Sequence, residues 1–206
     1  MNKFLALCII SIPLSLMFKY PPNDSGQWAS WVQAIGSIAA ILGAVWVVLH
    51  QIRLAEKARL NAILAVAGAA RDLATQFRTK LKNEEEGYEL VARLHQPSVL
   101  GNYSGALASL QPHEIRSAVG IAAFLELRKE FNFMDRAIDE YLQGPEAHRT
   151  FSRALVDFKE EYPNDPAAYR EEYKRWSETL AVLADESMRN VENAFDRLRD
   201  SVGKHA

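Results

Sequence analysis

WASWVQAIGSIAAILGAVWVVL, residues 28–49, contains no charged side chain. At about 1.5 Å per residue, a helix of this length reaches roughly 33 Å, enough to cross a hydrocarbon core of about 30 Å. The stretch decides the fold because it separates two kinds of sequence. A short apolar lead-in precedes it. Amphipathic sequence with helical periodicity and no convincing strand pattern follows it. The expected fold is therefore all-α: an N-terminal two-helix membrane hairpin, then a cytoplasmic up-and-down helical bundle with long helices.

The ends of the stretch carry the marks of a span. Trp28 and Trp31 stand at one end and Trp46 near the other, as interfacial aromatics do. His50, Arg53, Lys57 and Arg59 follow at once, against the single acid Glu56. The turn on the other side holds only Lys19 and Asp24 as charges. The positive-inside rule then places the C-terminal bulk in the cytoplasm. Arg53, Lys57 and Arg59 are also candidates for contact with anionic headgroups.

Residues 4–18, FLALCIISIPLSLMF, follow the single cation Lys3. Two objects fit this pattern: a short membrane helix or a signal peptide. No small-x-small pair closely follows the apolar run, which favours a retained helix of about residues 4–18. Pro13 would kink it. Residues 19–27, KYPPNDSGQ, have the composition of a tight polar turn. Two membrane segments joined by so short a turn must run antiparallel.

Within the span, Ala29, Gln33, Gly36, Ala40 and Gly43 succeed one another at steps of 4, 3, 4 and 3. They share one helix face. Small residues on such a stripe allow close approach of a second backbone, and the Gln33 amide would seek a partner across the contact. The expectation is self-association through this face, or tight pairing with the first helix.

The run Trp28-x-x-Trp31-x-Gln33-x-x-Gly36-Ser37-Ile38-Ala39-Ala40-Ile41 resembles the membrane segment of small uncharacterised bacterial and prophage-encoded inner-membrane proteins. In those proteins a similar helix precedes a basic, helical cytoplasmic tail. The resemblance covers the membrane segment and its flank only. It implies an inner-membrane location and no particular activity.

After Leu49 no turn signal interrupts the chain, so the helix is expected to continue out of the membrane. Leu60, Ile63, Ala67, Ala70, Ala74, Phe77 and Leu81 form an a/d seam along it. Such an extension could couple the membrane segment to the bundle or serve as a plain stalk. Asn83 to Gly87 mark a break. Residues 97–111, PSVLGNYSGALASLQ, are the least periodic part and the best candidate loop. Pro112 can open the next helix, expected over residues 113–142, and one reading of its steps uses Ile115, Val119, Ala122, Leu125 or Glu126, Lys129, Phe133, Arg136 and Glu140. A second reading gives a better apolar face: Val119, Ala122, Ala123, Leu127, Phe131, Met134, Ile138 and Tyr141. Gly144-Pro145 stops this helix.

A shorter helix over residues 147–162 shows Phe151, Leu155 and Phe158 on one side. Asp165 can cap, and Pro166 can start, the final helix. Its coiled-coil-like stripe runs Tyr169, Tyr173, Trp176, Leu180, Leu183, Ser187, Val191, Ala194, Leu198 and Val202. The final helix matches the residue 50–82 helix in length, and the two are expected to pack antiparallel.

Composition narrows the function classes. The 206 residues carry a formal net charge of −2, so no strong field points to nucleic acid. A single cysteine, Cys8, excludes an intramolecular disulfide and a Cys-rich zinc site. None of the five histidines stands four residues from another. No P-loop, dinucleotide fingerprint or nucleophile elbow occurs. The expectation is a non-enzymatic protein without metal or cofactor: a membrane-anchored interaction or scaffold module acting through helix association. Its partners would be the bilayer, a second copy, and a protein the sequence does not identify. The alternative is a membrane-perturbing effector or toxin of phage-defence or prophage type.

Overall fold

The computed structural model describes residues 19, 24–83, 86–115 and 117–203. The residue 4–18 helix therefore lies outside the described residues, as do residues 20–23 of the proposed turn. Every regular element described is helical. The order is α1 (Ser25–Leu81), α2 (Gly87–Leu94), α3 (Pro97–Ser109), a 3-10 turn (Pro112–Glu114), α4 (Ala118–Gln143), α5 (Arg149–Glu161) and α6 (Pro166–Gly203). Two compact units divide between Ala55 and Glu56.

In the first unit, helix α1 starts inside the segment read as a turn. The Asp24 carboxylate accepts from the Gln27 backbone N–H at 2.8 Å, satisfying a donor that the first helical turn leaves free. No residue of α1 before Ile63 is buried.

The second unit owns the core. From α1 the buried residues are Ile63, Ala67, Ala70, Leu73, Ala74 and Phe77, which is the expected seam with Leu73 added. Leu60 and Leu81 pack against it half-buried. Helix α6 faces α1 in the opposite direction. Gly68 approaches Phe195, Thr75 bonds Glu192, and Arg78 bonds Asp185, so rising numbers on one helix meet falling numbers on the other. Helix α4 is also antiparallel to α6: Glu126 pairs with Arg197, and Gly144 lies beside Tyr173.

Helices α2 and α3 return along α4. The Tyr88 hydroxyl donates to the Leu142 carbonyl at 2.9 Å, and further along the Ser104 hydroxyl donates to Asn132 Oδ1 at 2.6 Å. Helix α5 folds back on the first half of α6, with Phe151 stacked on Trp176 at 4.4 Å between ring centres.

Three expectations are corrected. Residues 97–111 are not a loop, because α3 occupies most of them. Pro97 opens it without needing its missing N–H, and Leu100 and Leu107 are buried in the core with Tyr103 packed against it. Gly101 and Gly105 meet nothing within 4 Å, so the glycines and serines that hid the period stand where bulk is not needed. Burial of the leucines outweighs a propensity cost of about 1 kcal/mol per glycine.

The helix expected over residues 113–142 is two elements. Ile115 leaves the 3-10 turn to enter the core, and the Ser117 hydroxyl caps α4 by accepting from Gly120 N–H at 3.3 Å. Along α4 the buried row is Gly120, Ala123, Phe124, Leu127, Phe131, Met134 and Ile138, whereas Val119 is 68% exposed.

On α6 the expected stripe is buried at Leu180, Val191, Ala194, Leu198 and Val202, and slips by one position only between Leu180 and Val191. Ala184 and Met188 are fully buried, Leu183 is 42% exposed, and Ser187 lies outside the core. Both phases offer steps of three and four residues. Thr75 and Arg78 of α1 bond Glu192 and Asp185 beside this row, an arrangement consistent in phase with Ala184 and Met188 facing the core.

Two breaks are where the sequence places them. Gly144 ends α4 at φ +80°, and Asp165 caps α6 by accepting from Ala167 and Ala168 at 3.1 and 2.9 Å.

Candidate functional site

The feature most unlike an ordinary core helix is the N-terminal half of α1. It is apolar and long enough to cross a membrane, yet its most apolar window has no buried residue. Val32, Ile41 and Trp46 are more than 60% exposed, with Ile35, Ile38, Val45, Val47, Val48, Ile52 and Leu54 also open. A helix hydrophobic all round belongs inside a large core or a bilayer. Among the described residues nothing covers this one.

Its polar groups are mostly satisfied within the helix. The Ser30 hydroxyl donates to Gly26 O at 3.0 Å and the Ser37 hydroxyl to Gln33 O at 2.8 Å, which lowers the cost of an apolar surrounding. The Gln33 side chain has no hydrogen-bond partner among the described residues. A Cβ added at Gly36 or Gly43 meets nothing within 4 Å. Among the described residues nothing covers the face of Ala29, Gln33, Gly36, Ala40 and Gly43.

Trp28 and Trp31 lie in the first turns of α1. Trp46 stacks on His50 at 5.5 Å between ring centres. The 18 residues from Trp28 to Trp46 correspond to about 27 Å of helix. Arg53, Lys57 and Arg59 follow as exposed cations. Arg59 makes one long ion pair, 3.8 Å to Glu114.

A polar cluster on the second unit was not read from the sequence. The Arg78 guanidinium bridges Asp185 at 3.0 Å and Glu192 at 2.8 Å, and the Thr75 hydroxyl donates to Glu192 at 2.9 Å. Lys82 adds a longer contact with Asp185, 3.8 Å. Hydrogen bonding to Asp185 leads in holding the Arg78 guanidinium above its ordinary value, partly opposed by desolvation. The members are about a quarter exposed and fully paired, which suits clamping α1 to α6 rather than chemistry. Only a helical partner more than one hundred residues away completes this cluster, so no local signal announces it.

Two histidines sit at helix ends. His148 Nδ1 caps α5 by accepting from Phe151 N–H at 3.4 Å, and His95 lies 4.0 Å from Asp139. No group of three or more metal-ligating side chains converges among the described residues. Asp135 on α4 has its carboxyl pushed above the usual value, chiefly by burial, with Asp139 adding and His95 opposing. Tyr169 donates to Glu146 at 3.1 Å; burial, then this bond, raises its phenol.

Two shallow grooves line α4. One, of about 400 Å³, lies between α4 and α6 beside Ala122, Glu126, Arg197 and Ser201. The other, of about 410 Å³, runs along the outer side of α4 and is lined by Leu125, Arg128, Lys129, Asn132, Phe133 and Arg136. In the first, the Ser201 hydroxyl donates to Leu198 O at 2.7 Å, Ser117 caps α4, and the Glu126 carboxylate pairs with Arg197 at 2.8 Å.

No family model matches the chain, and no curated protein or solved structure matches it at a significant level.

Proposed function

We propose that the chain is an inner-membrane protein anchored by a two-helix hairpin, with its up-and-down helical bundle in the cytoplasm, and that it works as a non-enzymatic interaction module through helix association. The observation that carries this reading is the uncovered apolar half of α1, free of buried residues and closed at its C-terminal end by Trp46 and a basic flank. Leaving so many aliphatic side chains in water would cost about 25 cal/mol per Å² of exposed apolar surface. A bilayer removes that cost without any further protein. The Gly36 and Gly43 face supports association between two such helices, because it offers close backbone approach and an amide without a partner. The cations after Trp46 support the inward orientation of the bundle.

Alkaline extraction of membranes from cells producing the full chain tests the anchor. The chain stays in the membrane pellet; release into the supernatant would overturn the reading. A reporter fused after Ala206 tests the orientation, and it is active only in its cytoplasmic form.

A further inference from the structure

Just past its most apolar stretch, helix α1 carries a stacked pair of rings. Trp46 and His50 lie 5.5 Å apart between ring centres, with 10° between their planes. Arg53 follows three residues on, so Trp46, His50 and Arg53 fall on one stripe of the helix at steps of four and three. At about 100° per residue this stripe stands roughly a quarter-turn from the face of Gly36, Ala40 and Gly43, which leaves both sides usable at once. Leu49, Ile52 and Leu54 are exposed in the same turns. A turn of helix that mixes open aliphatic side chains with cations suits the boundary between hydrocarbon and headgroups.

His50 and Arg53 are exposed, and among the described residues neither makes a hydrogen bond or an ion pair. From Ser25 to Ala55 the sequence holds no Asp or Glu. The next acid, Glu56, is half-buried and engaged in an interaction of its own. Arg59, by contrast, reaches Glu114 at 3.8 Å within the second unit. Side chains of an α-helix lean towards its N-terminus, which for Arg53 is the direction of the apolar stretch. Along the axis His50 stands about 6 Å, and Arg53 about 10 Å, beyond Trp46. A headgroup layer is about 5–8 Å thick on each side of a bilayer, and the long Arg53 side chain, leaning back, reaches from just outside it to the level of His50.

We infer that Trp46, His50 and Arg53 hold the phosphate of one anionic phospholipid in the leaflet at the C-terminal end of the span. This inference rests on the membrane-anchored reading above. The Arg53 fork donates to two phosphate oxygens, a ring N–H of His50 donates to the same group, and the Trp46 ring lies against the glycerol. With no carboxylate on the stripe, a zwitterionic headgroup finds no partner for its ammonium group. A net anionic headgroup asks only that its phosphate be met. The site divides the basic flank read from the sequence: Arg53 belongs to it, while Lys57 and Arg59 stand in the second unit and take no part.

The test uses the full chain reconstituted into phosphatidylcholine vesicles, with spin-labelled phosphatidylglycerol or spin-labelled phosphatidylcholine as the probe. The fraction of each probe held motionally restricted gives their relative association. The chain selects the phosphatidylglycerol probe by about fivefold or more, the contribution of a single cation at the headgroups. His50→Gln with Arg53→Gln brings the ratio close to one. Arg53→Gln with Gln51→Arg also lowers it, because this exchange keeps the net charge and moves the guanidinium off the stripe. Arg59→Gln leaves it unchanged. Selectivity that survives the exchange of Gln51 and Arg53 assigns the preference to net charge alone and overturns the site. A chain that resists alkaline extraction yet restricts both probes equally overturns the site and leaves the anchor standing. A chain that washes off overturns both.

Discussion

Gly144 is the glycine at positive φ among the described residues. Its φ of +80° with ψ of 176° lies in a region open essentially to glycine, and an added Cβ would stand 3.0 Å from the Tyr173 hydroxyl. Gly144→Ala therefore destabilises the bundle by about 1–3 kcal/mol, read as a lower melting temperature of the detergent-solubilised protein by circular dichroism. Gly120 answers a different need: a Cβ there would lie 2.7 Å from Ile115 and 2.9 Å from Ser201, so glycine allows α4 to meet α6 closely. Asp135 makes a pH prediction. Burial raises its folded-state carboxyl pKa above the ordinary 3.8, so the folded protein binds this proton more tightly than the unfolded chain. That contribution is fully present below 3.8 and is lost as pH rises through the folded value. Asp135→Asn removes the loss: the variant melts higher than the parent at neutral pH and alike below the carboxylate range, a difference measured by melts across pH.

Helix phase is the property that elements of this bundle share with difficulty. On α6, Leu183 looks like core and Ser187 like its neighbour on the stripe, yet Ala184 and Met188 are the buried pair. Met188→Ala then costs about 2–5 kcal/mol. Leu183→Ser changes stability by no more than about 0.5 kcal/mol, although it removes the larger hydrophobe from a stripe position. Urea unfolding of the two variants compares them directly, and the opposite order would contradict the observed phase. The α1 seam was legible because Ala67, Ala70 and Ala74 leave no competing apolar row. Helix α4 offered two rows, and the structure buries the one through Leu127, Phe131, Met134 and Ile138. Helix α3 was illegible because glycine and serine occupy much of its outer side, so Leu100 and Leu107 alone signal its period.

At the scale of the whole molecule, the apolar half of α1 and the bundle are separate compact units. A Cβ added at Gly36 or Gly43 meets no atom of the described residues within 4 Å. Gly36→Leu with Gly43→Leu therefore leaves the melting of the bundle unchanged while weakening self-association of the chain in membranes, measured by cross-linking in native vesicles. Equal cross-linking would remove the small-residue face from the proposed contact. The sequence by itself determined the all-helical class, the uncovered apolar stretch around residues 28–49, the α1 seam, and the breaks at Gly144 and Asp165-Pro166. These are local matters: hydropathy summed along a window, one clean periodicity, and backbone chemistry at a single turn. Tertiary structure alone decided the slip to Ala184 and Met188 within α6, the helicity of α3, the split before Ser117, and the clamp of Arg78 on Asp185 and Glu192. Each of these depends on which surface a distant helix presents, and burial against that surface overrides the weaker local preferences that a sequence displays.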